Sequence, residues 1–96
     1  MEQAKTLGEI ISNLSEIDPD DTIYAIEPWT EKSAAIVARE PDDADLPEDA
    51  IHAGMSYFLE VFIAIEVIED WLPAQEAAPT PIDICNRVIE YAINDA

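Results

Sequence analysis

The sequence predicts a small α+β domain in which about three helices pack on a three-stranded antiparallel sheet. Three observations carry this prediction. Two segments repeat apolar residues at helical spacing, three are rich in β-branched and aromatic residues, and the densest apolar stretch, Met55–Gln75, changes from one pattern to the other. The predicted order is α-β-β-(short α)-β-α-α, within a single domain covering residues 1–96.

The first predicted helix covers residues 6–17. Thr6 and Glu9 have the spacing of a capping box, in which the hydroxyl and the carboxylate each accept a hydrogen bond from the other residue's backbone N–H. Pro19 disfavours helical backbone at the residue before it, so the helix is expected to end there. Its apolar residues recur at helical spacing: Leu7, Ile10, Ile11, Leu14 and Ile17.

A β-hairpin is predicted next. Thr22–Glu27 and Ala34–Arg39 are rich in β-branched and apolar residues, and a loop of hairpin length that contains Trp29 joins them. Pro28 is expected to close the first strand, because proline cannot donate to a ladder.

An acidic segment, residues 40–49, follows the hairpin. It holds six acids and two prolines in ten residues and is predicted to form a loop. Near its end Pro47 suits the first position of a short helix, 47–53, which Gly54 would terminate.

The central apolar stretch is interpreted as a strand over 56–62 followed by a helix over 63–73. At 100° per residue, apolar and acidic residues separate onto opposite sides from Ile63 onward, but not before it. One continuous helix is the alternative, since short apolar runs suit both structures. In the strand interpretation one face carries Tyr57, Leu59 and Val61, and the other carries Phe58, Glu60 and Phe62.

The last predicted helix covers residues 81–94. Thr80 suits its N-cap, Pro81 its first position and Asp83 its third, and Cys85 lies at the centre of its apolar face. Residues from several elements are expected to share one core, namely Cys85, Ile89, Leu14, Ile11, Val61 and Trp71.

Charge is the extreme property of this sequence. Four basic residues stand against 22 acidic ones, which gives a formal net charge of −18 at pH 7. Such a field repels nucleic acid and anionic membranes and attracts cationic partners. No apolar run approaches the ~20 residues of a membrane helix, and the first residues do not resemble a secretory signal. A cytoplasmic location is therefore expected, with no membrane or nucleic-acid partner.

No motif predicts an enzyme, a cofactor site or a metal site. His52 is the single histidine, and nothing beside it marks a nucleophile. Cys85 is the single cysteine and is expected to act as a small buried hydrophobe. The acids of residues 40–49 lack the spacing of a calcium loop. Glu66, Glu69 and Asp70 are expected to form a solvated helix face rather than a carboxylate site.

Several short runs carry a resemblance to known proteins: Ile23-Tyr24-Ala25, Pro28-Trp29, Tyr57-Phe58-Leu59-Glu60-Val61 and Glu69-Asp70-Trp71. Over most of its length the chain resembles a family of short acidic bacterial proteins to which no function is assigned. In size, charge and α+β layout it is also similar to immunity proteins and antitoxins, a likeness of general character that transfers no residue roles.

The sequence favours a protein-binding module that covers a basic surface, as an immunity protein, an antitoxin or an inhibitor does. A DNA mimic is an extreme form of this hypothesis. The alternative is an accessory or structural domain whose acidity serves only solubility or a high-salt cytoplasm. The face with Phe58 and Phe62 is a further hypothesis, as a homodimer contact. The residues expected to contact a basic partner are Trp29, Asp42, Asp43, Asp45, Glu48 and Asp49. For Trp29 the equal alternative is a ring folded back over the edge of the sheet.

Overall fold

The computed structural model describes residues 5–39 and 46–94, and within them the chain forms an α+β fold. The helices pack around a four-stranded antiparallel sheet. The strands are β1 (Lys5–Thr6), β2 (Thr22–Ala25), β3 (Ala34–Ala38) and β4 (Ser56–Glu60). The α-helices are α1 (Leu7–Ser12), α2 (Glu48–Ala53), α3 (Val61–Trp71) and α4 (Pro81–Asn94), and short 3-10 turns cover Leu14–Glu16 and Leu72–Ala74.

The predicted fold class is confirmed, but the sheet has one more strand than the three expected. β1 is only two residues long and precedes α1, and the strand order across the sheet is β1-β3-β2-β4. Among the described residues, Lys5 pairs with Ala35 and Thr6 pairs with Ala34. This pairing joins segments about thirty positions apart, and a contact at that separation leaves no local pattern in the sequence.

A β-bulge in β4 changes which side chains enter the core. Ile23 pairs with Leu59 and Tyr24 pairs with Tyr57, so Phe58 is an extra residue between two consecutive pairs. Both Phe58 and Leu59 are 1 % exposed and belong to the same core cluster. The predicted face shared by Phe58, Glu60 and Phe62 is therefore wrong, because the bulge breaks the alternation on which it depended.

Helix α3 begins at Val61, two residues before the predicted start. The backbone N–H of Val61 donates to the carbonyl of Asp21 at 2.9 Å, and that of Phe62 donates to the carbonyl of Pro19 at 3.2 Å. These bonds satisfy amides that a helix leaves unpaired in its first turn. Glu60 has extended backbone, so the strand-then-helix interpretation is confirmed over the alternative of one continuous helix.

The predicted helix over 6–17 is confirmed at its start and divided near its end. Thr6 and Glu9 form the capping box, with Thr6 N to Glu9 Oε1 at 2.9 Å and Glu9 N to Thr6 Oγ1 at 3.1 Å. The regular helix stops at Ser12, and Asn13 leaves helical geometry while its side chain bonds to the carbonyl of Glu9 at 2.8 Å. Local side-chain bonding of this kind competes with helix continuation.

Helix α4 keeps its predicted bounds, 81–94. Thr80 N donates to Asp83 Oδ2 and Asp83 N donates to Thr80 Oγ1, both at 3.1 Å, which confirms the predicted cap. Likewise the short helix α2 ends at Gly54 as predicted, with φ of 73°, although Pro47 precedes the helix rather than opening it.

One large core lies between the sheet and helices α1, α3 and α4. The predicted core residues Ile11, Leu14, Val61, Cys85 and Ile89 all belong to it. Trp71 was expected there as well and lies outside this cluster, where it lines an open cleft beside Gln75 and Arg87. Its place near the end of α3 takes it past the edge of the core.

The opposite face of the sheet carries a smaller apolar cluster. Tyr24, Ala50 and Met55 are its buried members, and α2 covers them. In the described residues, the sheet therefore has helices on both faces: α1, α3 and α4 on one, and the six-residue α2 on the other.

Candidate binding surfaces

The Trp29 side chain is packed into the fold rather than presented freely at the hairpin tip. Its ring meets Phe58 edge-to-face with the ring centroids 4.9 Å apart, and its Nε1 donates to the carbonyl of Ala25 at 3.3 Å. Trp29 is half-buried and packs against the large core. Most of its apolar surface is thus used inside the domain, because edge-to-face aromatic contact and a bonded indole N–H both hold it there.

The acidic segment is described only in part. Asp42, Asp43 and Asp45 lie outside the described residues. Glu48 and Asp49 form the first turn of α2 and are exposed. Acids at a helix N-terminus are favoured by the helix dipole, so this short helix gains some local stabilisation from them.

The expected binding residues that the structure describes do not form one surface. Trp29 packs with the large core on one face of the sheet, whereas Glu48 and Asp49 begin the helix that covers the other face. A binding surface that includes Glu48 and Asp49 therefore does not include Trp29.

Few of the acids in the described residues are neutralised by an ion pair. Arg39 contacts Asp18 at 3.4 Å and Asp21 at 3.2 Å, and Arg87 contacts Glu90 at 2.8 Å. The remaining acids stand outside these three pairs, including exposed residues on α3. Exposed pairs of this kind contribute little free energy, so the field of the protein stays strongly negative.

A groove of about 610 Å³ runs along β3 between α1 and α2. Residues of β3 from Ala35 to Ala38 line it, together with residues of α1 and of the 3-10 turn after it. Among the described residues that line it, the charged ones are Glu9, Glu16, Asp49 and Lys5. This is the place where acids, apolar side chains and an edge of the sheet come together.

Sequence reasoning did not find this groove, although part of it was visible. Glu9 and Glu16 are seven residues apart, which places them on one side of the first helical segment. Asp49 joins them only through tertiary structure, because α2 lies across the sheet from α1.

Hydrogen bonds hold the pKa of Glu9 below its ordinary value. The backbone N–H of Thr6 contributes most, followed by the Thr6 hydroxyl, and both donate to the carboxylate. Lys5 lowers the pKa further through its charge. Glu9 is therefore an anchored carboxylate at one end of the groove, since the capping box fixes its side chain.

The two residues weighed for nucleophilic chemistry lie apart from the groove walls. Cys85 is 1 % exposed inside the large core, and burial, together with the charge of Glu31, raises its pKa to about 11. His52 is exposed in the last turn of α2. A thiol with a raised pKa is a poor nucleophile near neutral pH, because the thiolate is the reactive form.

Within residues 5–39 and 46–94, no group of three or more histidine, cysteine, aspartate or glutamate side chains has an arrangement suited to a metal ion. The described helices include none with both the length and the apolar character that crossing a membrane requires.

No protein-family model matches the chain, and neither a curated protein nor a solved structure matches it.

Proposed function

We propose that this protein is an acidic binding module that covers a basic surface on a partner protein, in the manner of an immunity protein, an antitoxin or an inhibitor. The observation that carries the proposal is the surplus of exposed carboxylates over ion pairs in the described residues. A field of this strength speeds association with a cationic partner and disfavours anionic ones.

The packed position of Trp29 changes its part in this proposal. Its contacts with Phe58 and the Ala25 carbonyl support the fold, so replacing it would disturb the domain as well as any surface it contributes to. Glu48 and Asp49 are exposed and keep their proposed role as partner contacts. Binding tests therefore use changes of charge rather than truncation of Trp29.

The test is capture of partners from the native extract on the immobilised protein, at low ionic strength where charge attraction is strongest. A matched resin carries an unrelated acidic protein of similar net charge. We expect one protein with a basic surface to be retained by this chain alone and to bind it with one-to-one stoichiometry when purified. Its association rate should fall steeply with added salt, whereas its dissociation rate should change little.

One result would contradict the proposed function. If both resins retain the same set of basic proteins, the charge acts without selectivity. The acidity then serves solubility or tolerance of salt, and the proposed binding function is wrong.

A further inference from the structure

One flank of helix α3 leaves large apolar side chains exposed. Val61, Ala64 and Val67 are the buried residues of this helix, whereas Phe62 is 42 % exposed and Leu72, directly after its last residue, is 39 % exposed. Single exposed apolar residues are common on protein surfaces, but a row of them along one helix is typical of a contact surface.

Phe62, Ile65, Glu69 and Leu72 form such a row, which we call the α3 seam. They are spaced by three, four and three residues, and Ile65 is half-buried while Glu69 is exposed. At 100° per residue this spacing keeps the four side chains within an arc of about 80° and along about 15 Å of helix. Alternating spacings of three and four are the pattern by which one helix packs along another, because the row then faces the partner over successive turns.

Glu69 gives the α3 seam a requirement for positive charge. It is the charged residue of the row, and a partner that covers the row removes water from its carboxylate. Burying an unpaired carboxylate is costly, so the partner must place a lysine or arginine opposite it. A polar residue at one position of such a row also selects the partner and fixes the register.

The other acids of α3 are placed where they cost the helix stability. Its first turn contains no acid, whereas Glu69 and Asp70 lie in its last turn, at the negative end of the helix dipole. Glu66 and Asp70 repel each other across one turn. The ion pairs of the described residues include none of these three acids. Local features that cost stability without a gain inside the domain are expected at binding sites, and a bound cationic group would relieve this repulsion.

A second copy of the chain does not meet these requirements. Two α3 seams packed together would bury two Glu69 carboxylates in one apolar contact, with no cation in either row to pair with them. Each chain also carries a net charge of −18, which opposes their approach. The charge of the row and of its surroundings therefore favours a basic partner.

We propose that the α3 seam binds an amphipathic helix of the basic partner. Apolar side chains of that helix pack on the apolar members of the seam, and one lysine or arginine pairs with Glu69. Glu66 and Asp70 lie beside the seam and attract further basic residues on one flank of the bound helix. This inference rests on the proposed function and assigns it a surface. The surface belongs to the helix-rich side of the sheet, opposite Glu48 and Asp49, so the two locations are tested separately.

The probe is an acetylated and amidated peptide of about 21 residues, or about three heptads, with leucine at the two seam positions of each heptad and lysine or alanine elsewhere. One seam position of the central heptad is lysine, to pair with Glu69. The control peptide has the same composition in scrambled order, which keeps the charge and removes the apolar stripe. We expect the striped peptide to bind at least about tenfold more tightly, since it alone buries apolar surface on the seam. In NMR spectra of the protein, amide shifts should move most along α3.

Two double variants remove exposed apolar side chains from different helices. The seam variant carries Phe62→Gln and Leu72→Gln, and glutamine is a good helix former. The matched control carries Ile82→Gln and Ile93→Gln on α4, where these side chains are 51 % and 62 % exposed. The seam variant should weaken binding of the striped peptide by about tenfold and the α4 variant by about twofold or less. Thermal melts check that both variants are folded.

Charge variants test the pairing at Glu69. Glu69→Gln should weaken binding of the striped peptide by about fivefold, whereas Glu48→Gln, the same chemical change on α2, should weaken it by about twofold or less. Glu69→Lys is then compared with the wild type on a second peptide, in which glutamate replaces the central seam lysine. The preference of the wild type for the original peptide should shrink by about tenfold or more in Glu69→Lys, because the two charges interact directly. Attraction to net charge alone would not couple these two positions.

Any of several results would overturn the α3 seam as the site. These are equal binding of the striped and scrambled peptides, equal weakening by the seam and α4 variants, a greater loss from Glu48→Gln than from Glu69→Gln, and an unchanged peptide preference in Glu69→Lys. A captured partner that binds the seam variant as tightly as the wild type has the same meaning and leaves the proposed function standing. A concentration-dependent dimer that the seam variant abolishes would assign the seam to a second copy. Failure of the proposed function is measured separately, by the capture experiment on the wild-type chain.

Discussion

Within the described residues, the two faces of the sheet carry apolar clusters of very different size. On one face, three α-helices and three strands enclose a cluster that includes Leu7, Phe58 and Val88, each at most 1 % exposed. On the other face, α2 covers a cluster whose buried members are Tyr24, Ala50 and Met55. The first face supplies most of the hydrophobic stabilisation, since that term scales with the apolar area removed from water.

This difference shows which part of the molecule holds so acidic a chain together. Self-repulsion among the carboxylates destabilises the compact state, and the large core must offset it. The thin face and the adjoining edge of β3 contribute less to that balance.

The strongest test of the comparison is Phe58→Ala on the helix-rich face. Phe58 is 1 % exposed and supports the ring of Trp29, so its loss should lower the free energy of unfolding by roughly 3–5 kcal/mol. Phe62→Ala is the control, because Phe62 is 42 % exposed and should matter by less than about 1 kcal/mol. Urea denaturation measures both. Equal effects would mean that the bulge does not direct Phe58 inward.

A smaller effect is expected for Met55→Ala on the thin face. Met55 is buried there in the smaller of the two apolar clusters, so the loss should be near the low end of such changes, about 2 kcal/mol. Ile51→Ala on the exposed side of α2 should change stability by about 0.5 kcal/mol or less. A Met55→Ala loss as large as that of Phe58→Ala would contradict the contrast between the faces.

The pH dependence of stability tests how well the helix-rich face excludes water. Folding raises the pKa of the Cys85 thiol from 9.0 to about 11, so folding favours its protonated form. This contribution is complete below about pH 9 and is lost as the pH rises toward 11, by up to about 2 kcal/mol. Stability should fall more steeply over that range in the wild type than in Cys85→Ala. Identical slopes, or rapid reaction of Cys85 with a thiol reagent at neutral pH, would show a more accessible core.

The smallest predicted effect concerns the turn that returns α2 to the sheet. Gly54 has φ of 73°, and a Cβ added there would meet nothing within 4 Å, so only the backbone conformation opposes a side chain. Gly54→Ala should therefore lower the free energy of unfolding by about 1 kcal/mol. Gly54→Asn should lower it less, since asparagine adopts left-handed backbone more readily. Thermal or urea denaturation of the two variants gives the comparison, and the reverse order would exclude this explanation.

Much of the fold was predictable from local pattern. The capping boxes at Thr6 and Thr80, the presence of a strand followed by a helix within Ser56–Trp71 and the glycine that ends α2 all depend on neighbouring residues only. The exact start of α3 was not predictable, because the carbonyls of Pro19 and Asp21 that receive its first amides are about forty residues away in the chain.

The candidate binding residues were also predictable only where they depend on composition or on neighbouring residues. The acidic character of Glu48 and Asp49 is plain from composition, and the structure leaves both exposed. For Trp29 the sequence left two possibilities, an interface anchor or a ring folded back over the sheet edge. In the structure its ring is held by Phe58, whose own position depends on the bulge. A contact between side chains 29 residues apart leaves no periodic signal.

By itself the sequence determined the α+β class, the order of the predicted elements, the helix caps and the excess of negative charge, because each depends on composition or on residues a few positions apart. Only the tertiary structure decided that β1 pairs with β3, that Phe58 turns inward, and that Glu9, Glu16 and Asp49 line one groove. These features depend on strand register and on the packing of distant segments, and register is set by pairing between strands rather than within them.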